Sequence, residues 1–260
     1  MGDGGGGRWS QAESLGDHHL RMARLRRMSA ADLRVLFARP AETLAPWIES
    51  AARHGLAEAQ LRLGQMRLDG VGGPPDPAAA RLWFARAARQ GSPEAMNMVG
   101  RAHENGWGTP VDEAAAARWY RRAAEAGSDW GRYNLANLLF DGRGVARDLP
   151  AAVEGYRRAA AQGHARAMNL LARCLEEGWG APRDPDAAFD QYRRAAEAGY
   201  FRAQYNYAAL LFERGRADEA LALFETACRA AAPESRDGLV LGLVRHPDPR
   251  LAELGRRLAA

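Results

Sequence analysis

The side chains able to build a chemical centre in this chain are six histidines, two cysteines and a scatter of carboxylates. His18, His19, His54, His103, His164 and His246 include no pair four residues apart around a glutamate, the H-E-x-x-H spacing that puts two imidazoles on one helix face for a metal. His18 and His19 are adjacent, so their rings diverge. His103-Glu104 is followed by Asn105-Gly106 and reads as a surface pair at a helix end. Cys174 and Cys228 form no C-x-x-C and sit in helical patterns, where a thiol behaves as a small buried hydrophobe. All 36 basic residues are arginine. Without lysine there is no amine for a Schiff base and none for a P-loop. No G-x-S-x-G or dinucleotide fingerprint occurs, and the GDGGGG run at 2–7 is low complexity. The residues therefore point to no enzyme: no catalytic group, no cofactor and no metal site is expected.

The framework that holds these side chains is helical by composition. Apolar residues make up 47% of the chain, Ala is abundant, Ile occurs once (Ile48), and Val and Thr are sparse. Strands favour the β-branched residues that are missing here. No run of about 18 apolar residues is present, so no membrane span is expected. The start, MGDGGGGRWSQAES, lacks the apolar core of a secretory signal, which together with the two unpaired-looking cysteines predicts a cytoplasmic location.

Internal periodicity decides the architecture. Gly55, Gly91, Gly127, Gly163 and Gly199 are each 36 residues apart. Gly70, Gly106, Gly142 and Gly178 keep the same period, as do Asp76, Asp112, Asp148 and Asp184. Apolar columns follow: Leu63, Val99, Leu135, Leu171 and Tyr207, then Gly64, Gly100, Ala136, Ala172 and Ala208. Each unit predicts two helices. The first ends near the second glycine. The second starts at the Asp, whose carboxylate accepts first-turn N–H groups, and closes at the next period glycine in a left-handed C′ position. Small residues at Gly64, Gly100 and Ala136 let the two helices approach closely.

The stretch AMNMVGRAHENGWGTPVDEAAAARWYRRAAEAG (95–127) and its neighbours resemble the Sel1-like repeat of bacterial proteins, a relative of the tetratricopeptide repeat. The resemblance implies an all-α fold, an α/α superhelical solenoid. Residues 1–16 are expected to form a disordered Gly-rich tail, and 17–54 an N-terminal helical cap with a degenerate unit whose helices are 30–38 and 40–54. Four 36-residue repeats fill 55–198. A shortened, tetratricopeptide-like repeat occupies 199–231, and a C-terminal helical cap 232–260, broken at His246-Pro247.

In such arrays the first helices line a concave face. The columns turned toward it vary between units while the core columns do not. They supply the partner-binding candidates Asn97, Arg101, Trp130, Tyr133, Asn137, Phe140, Asn169, Arg173, Arg202, Tyr205 and Phe212. Aromatic rings provide contact area, and Asn and Arg bond to backbone or carboxylate, so an extended peptide or a helix of an unidentified protein would suit them. The expected function is a protein–protein interaction adaptor or scaffold. The family resemblance implies roles in assembling complexes or in signalling and envelope processes.

Two alternatives belong to other classes. A ladder of Arg86, Arg122, Arg158 and Arg194 on the second helices has the charge for nucleic acid. Cations in a last helical turn also complement the helix dipole, which is the structural account of the same series. By family analogy the other alternative is a β-lactam-type hydrolase, since the resemblance extends to secreted, cysteine-rich proteins that are penicillin-binding or β-lactam-hydrolysing, but those carry a Cys pair in each repeat and this chain does not.

Overall fold

The structure is a computed structural model, and it describes residues 41–259 together with Arg21 and Ala23. The expected tail at 1–16 and the expected helix at 30–38 lie outside these residues. Thirteen helices and no strand occur among the described residues, and the fold class is an all-α helical-repeat solenoid. The chain divides into two compact units. The first runs to Leu138 and takes in Gly142–Ala146; the second comprises Leu139–Asp141 and everything from Arg147 onward.

The first unit holds α1 (Ala41–Arg53), α2 (Ala57–Asp69), α3 (Pro77–Arg89), α4 (Pro93–Asn105), α5 (Glu113–Glu125) and most of α6 (Asp129–Asp141). The second holds the end of α6, then α7 (Leu149–Ala161), α8 (Ala165–Glu177), α9 (Pro185–Glu197), α10 (Phe201–Glu213) and α11 (Ala217–Ala230). Helices α12 (Pro233–Val244) and α13 (Pro249–Ala259) close it.

Local chemistry sets these boundaries. The Oδ1 atoms of Asp76, Asp112, Asp148 and Asp184 accept from the N–H three residues on, at 2.9, 2.8, 2.9 and 2.9 Å. Each such cap stabilises its helix by about 1 kcal/mol. Ser92 and Ser128 do the same for α4 and α6. His164 replaces serine at the start of α8, its Nδ1 accepting from Ala167 N–H at 3.1 Å. Gly70, Gly106, Gly142 and Gly178 end the first helices at φ between 72° and 74°, a conformation that costs side-chain-bearing residues steric energy.

Within a repeat the two helices meet where a second-helix aromatic lies over a small first-helix residue. A Cβ on Gly64 would lie 2.5 Å from the Phe84 ring, and one on Gly100 2.6 Å from the Tyr120 ring. Both rings are fully buried. Between repeats the loops bear on the preceding second helix. A Cβ on Gly108 would collide with Ala78, one on Gly144 with the backbone of Glu113 and Ala114, and one on Gly180 with Leu149.

Candidate functional site

On the first helices of the first unit, α4 and α6 are joined directly. Asn134 Nδ2 donates to Asn97 Oδ1 at 2.8 Å. The second unit repeats the arrangement between α8 and α10, where Asn206 donates to Asn169 at 2.9 Å. Asn97 and Asn169 are each only 6% exposed. Their amides are therefore part of the contact between repeats and are not displayed to a ligand, contrary to the expectation from sequence. A buried polar group needs a partner, and here the neighbouring repeat provides it.

Arg101 and Arg173 are placed alike in the two units. The Arg101 guanidinium lies 4.9 Å from the Trp107 ring centre, and that of Arg173 5.2 Å from Trp179. Both tryptophans follow the left-handed glycine that ends the helix, and the reversal folds them back over its last turns. Contact between that position and residues one turn inside the helix is a regular companion of this terminus, and it is the signal by which sequence reasoning would have found Trp107 and Trp179. A guanidinium stacked on indole keeps its in-plane N–H groups available to a carboxylate.

Trp130 and Tyr133 stand at the start of α6, edge to face with ring centres 5.9 Å apart. Trp130 is 42% exposed, among the few large apolar side chains the fold leaves in solvent. Asn137 follows one turn after Tyr133 and is partly buried. Arg101, Trp130, Tyr133 and Asn137 thus belong to the adjoining helices α4 and α6 of the first unit.

In the second unit the remaining candidates are largely committed to packing. Phe140 lies 5.6 Å from Trp179. Tyr205 packs edge-on against Phe224 at 4.8 Å, and its hydroxyl donates to Leu239 O at 3.4 Å. Phe212 lies against His246, with the Arg250 guanidinium 4.9 Å above its ring. Helices α11 to α13 cover the face of α10 that the sequence assigns to a partner, because the last repeat must bury that face against something. Arg202 remains exposed, its guanidinium 5.7 Å from the Phe201 ring.

Glutamates of the same columns have a different use. Tyr120 Oη donates to Glu104 Oε2 at 2.5 Å, while Arg143 reaches Glu104 at 2.9 Å and Glu113 at 3.0 Å. Tyr192 donates to Glu176 at 2.8 Å. Burial, and then the bond to the carboxylate, push both phenols well above the ordinary tyrosine range. Burial also raises the Cys174 thiol to about 11, which leaves it unreactive at neutral pH. Among the described residues no group of three or more His, Cys, Asp or Glu side chains is arranged to hold a metal. No helix there is long and apolar enough to cross a membrane.

The arginine ladder of the second helices splits between the units. Arg86 and Arg122 each lie 4.3 Å from the centre of the tryptophan three residues before, Trp83 and Trp119. Arg158 pairs with Glu154 at 2.8 Å, and Arg194 bonds Gln191 at 3.5 Å.

Helix pairs repeated at a fixed period on a shared packing frame define a helical-repeat protein. The Sel1 repeat profile matches residues 57–92, 93–128, 131–164, 165–200 and 201–231, and the chain belongs to the Sel1 repeat family. Repeats of this family generally mediate protein–protein interaction and are typically non-catalytic. A Sel1 repeat protein from Oxalobacter formigenes is 30% identical, with a TM-score of 0.66 over 72% of this chain and 76% of that one. The c5321 protein, a protective antigen of uropathogenic Escherichia coli strains with an SLR fold, is 25% identical, with a TM-score of 0.66 over 84% of this chain. The present chain spans about half the length of c5321, 49%. A sel1 repeat protein from Klebsiella pneumoniae shares the fold at 20% identity and a TM-score of 0.51, over 82% of this chain and 98% of that one. Comparison with curated proteins by sequence finds no match.

Proposed function

We propose that this protein is a non-enzymatic, bacterial-type adaptor that holds a segment of a partner protein on the α4–α6 face of its first unit. The observation that carries the reading is Trp130, 42% exposed and fixed edge-on against Tyr133. Aromatic side chains that present area while already ordered lose little entropy on binding, and they dominate the affinity of protein interfaces. In this reading an apolar side chain of the partner seats on Trp130 and Tyr133. Asn137 bonds its backbone, and a carboxylate reaches the Arg101 guanidinium held over Trp107. Within the second unit, taken by itself, Arg173 and Arg202 offer a similar charge, whereas Tyr205 and Phe212 contribute through packing. The location that goes with this reading is the cytoplasm, supported by two thiols, Cys174 and Cys228, that are buried and unbridged.

The test is a photo-crosslinking amino acid placed at position 130 of the full chain in native cells, with position 229, an exposed arginine of α11, as control. A protein captured from position 130 and not from 229 is then titrated against wild type and the double variant Trp130→Ala/Tyr133→Ala, after circular dichroism shows equal helicity. Affinity should fall by roughly 100-fold, as expected for losing two interface anchors. An adduct from position 229 alone, or a variant that binds as well as wild type, would sink the reading.

A further inference from the structure

The second helices of the two units share a pattern but not a charge. Helices α3 and α5 carry six arginines against two glutamates, Glu113 and Glu125, and Glu113 is held by Arg143. Helices α7 and α9 carry four arginines against four acids. The difference concentrates in two columns. At the first, Leu82 and Arg118 of the first unit stand where the second has Glu154 and Asp190. Those acids neutralise their own helices: Glu154 pairs with Arg157 and Arg158, and Asp190 with Arg193. At the next column, Trp83 and Trp119 stand where the second unit has Gly155 and Gln191.

The first unit therefore presents a cationic face with rigid members. Trp119 packs back on the core formed by α3 and α4, and Trp83 on the core formed by α1 and α2. Arg122 and Arg86 lie over these anchored rings, each at 4.3 Å. Neither they nor Arg89, Arg118 and Arg121 have a carboxylate within ion-pair distance among the described residues. Leu82 lies within this surface and is 53% exposed. Helix stability does not call for so uneven a balance, since the second unit builds the same helices with equal numbers of arginines and acids, three of the four arginines ion-paired.

We propose that the α3–α5 face of the first unit docks an acidic protein segment: Arg86 and Arg122, each fixed on a tryptophan, receive its carboxylates, and Leu82, one turn before Arg86, meets an apolar side chain of the segment. The inference is independent of the α4–α6 reading, which uses other side chains. Two features favour a protein segment over a nucleic acid. Each indole is anchored in the core and covered by an arginine of this chain, so no ring is left for a base to stack on. An exposed leucine matches an apolar side chain and has no counterpart in a sugar–phosphate surface.

The experiment is fluorescence anisotropy with the full chain and three probes. These are a short fluorescein-labelled peptide of glutamates with one central leucine, a thymidine oligonucleotide of equal length, and phosphatidylglycerol-containing vesicles. The peptide should bind tightest, and its affinity should fall with added salt. Arg118→Glu/Arg122→Glu should weaken it by about tenfold or more, because reversing two close charges replaces attraction by repulsion. Arg158→Glu, the equivalent change in the second unit, should leave it unaltered. Should the double reversal lose helicity, Arg118→Gln/Arg122→Gln takes its place, with a smaller loss in the same direction. Tighter binding of the oligonucleotide or the vesicles would overturn the proposal. So would peptide affinity that ignores the α5 variants, or no binding of the peptide to wild type at low salt.

Discussion

Replacing Tyr120 and Glu104, singly and together, measures what joins the two helices of a repeat. Tyr120 is 0% exposed, and its hydroxyl donates to Glu104 at 2.5 Å. Glu104 also accepts from Arg143 at 2.9 Å, and its side chain is 21% exposed. A hydrogen bond to a charged group contributes about 1.5–3 kcal/mol. Tyr120→Phe should sit at the low end, about 1.5 kcal/mol, because Arg143 and water still satisfy the carboxylate. Glu104→Leu is worse. It strands a fully buried phenol without an acceptor, at about 1–3 kcal/mol, and takes one of two carboxylates from Arg143. We expect about 2 kcal/mol. The double variant restores a pair that the chain already uses, since Leu68 and Phe84 occupy the same two columns in the first repeat. Its cost should be about 1–2 kcal/mol, well below the sum of the singles, giving a coupling of roughly 2 kcal/mol. Urea denaturation followed by far-UV circular dichroism on the full chain reads all three. Strict additivity would refute the reasoning, for it would mean that phenol and carboxylate do not stabilise one another.

The remaining expectations concern glycine, alkali and an unusual cap. Gly144→Ala should cost several kcal/mol, because its Cβ would enter the backbone of Glu113 and Ala114, which does not yield. Gly91→Ala, with φ at 90° but nothing within 4 Å of the new atom, should cost only about 1–2 kcal/mol of backbone strain. Thermal melts of the two variants compare them, and equal losses would contradict the packing argument. Tyr120 and Tyr192 are raised by burial and by their carboxylate bonds, so the folded state keeps protons that the unfolded chain releases near pH 10. Their contribution is complete below about pH 10 and declines as pH rises beyond it. Urea midpoints should therefore fall in alkali, and less steeply in the variant Tyr120→Phe/Tyr192→Phe. His164→Ala should destabilise by about 1 kcal/mol through loss of the α8 cap, whereas His164→Ser should retain most of it, as Ser92 and Ser128 do in their own repeats. Equal melting temperatures for the two substitutions would count against the cap.

The helical architecture was legible because each boundary rests on a residue type with one strong preference: Asp at the start of the second helix, glycine at φ near 72° at the end of the first. The face of each first-helix residue was less legible. Asn97 and Asn169 were misplaced because their partners lie 37 residues on, one more than the repeat period, so comparing equivalent positions hides the bond. Glu104 and Glu176 share the column of Phe140 and Phe212, and their own role is hidden for a different reason. Their tyrosines are 16 residues away on the second helix, and only the switch from Leu68 with Phe84 to Glu104 with Tyr120 betrays the link. Tyr205 and Phe212 look like their repeat equivalents in sequence. Nothing in a periodic column tells that the array ends there and that α11 to α13 cover it.

The loop glycines Gly108, Gly144 and Gly180 constrain how the gene can change. Each loop touches the previous second helix backbone to backbone, so one repeat fits the next without regard to most side chains. Duplicating or deleting a whole 36-residue block would regenerate every such contact, whereas an insertion of any other length would move a glycine out of place. The last repeat has Arg216 where a further loop glycine would fall. A block copied from the middle of the array can join another such block, but one added after residue 231 would meet a helix already covered by α12 and α13. Tandem duplication is thus accommodated in the interior of the array, where each new block meets a loop-to-helix contact of the kind its neighbours already make.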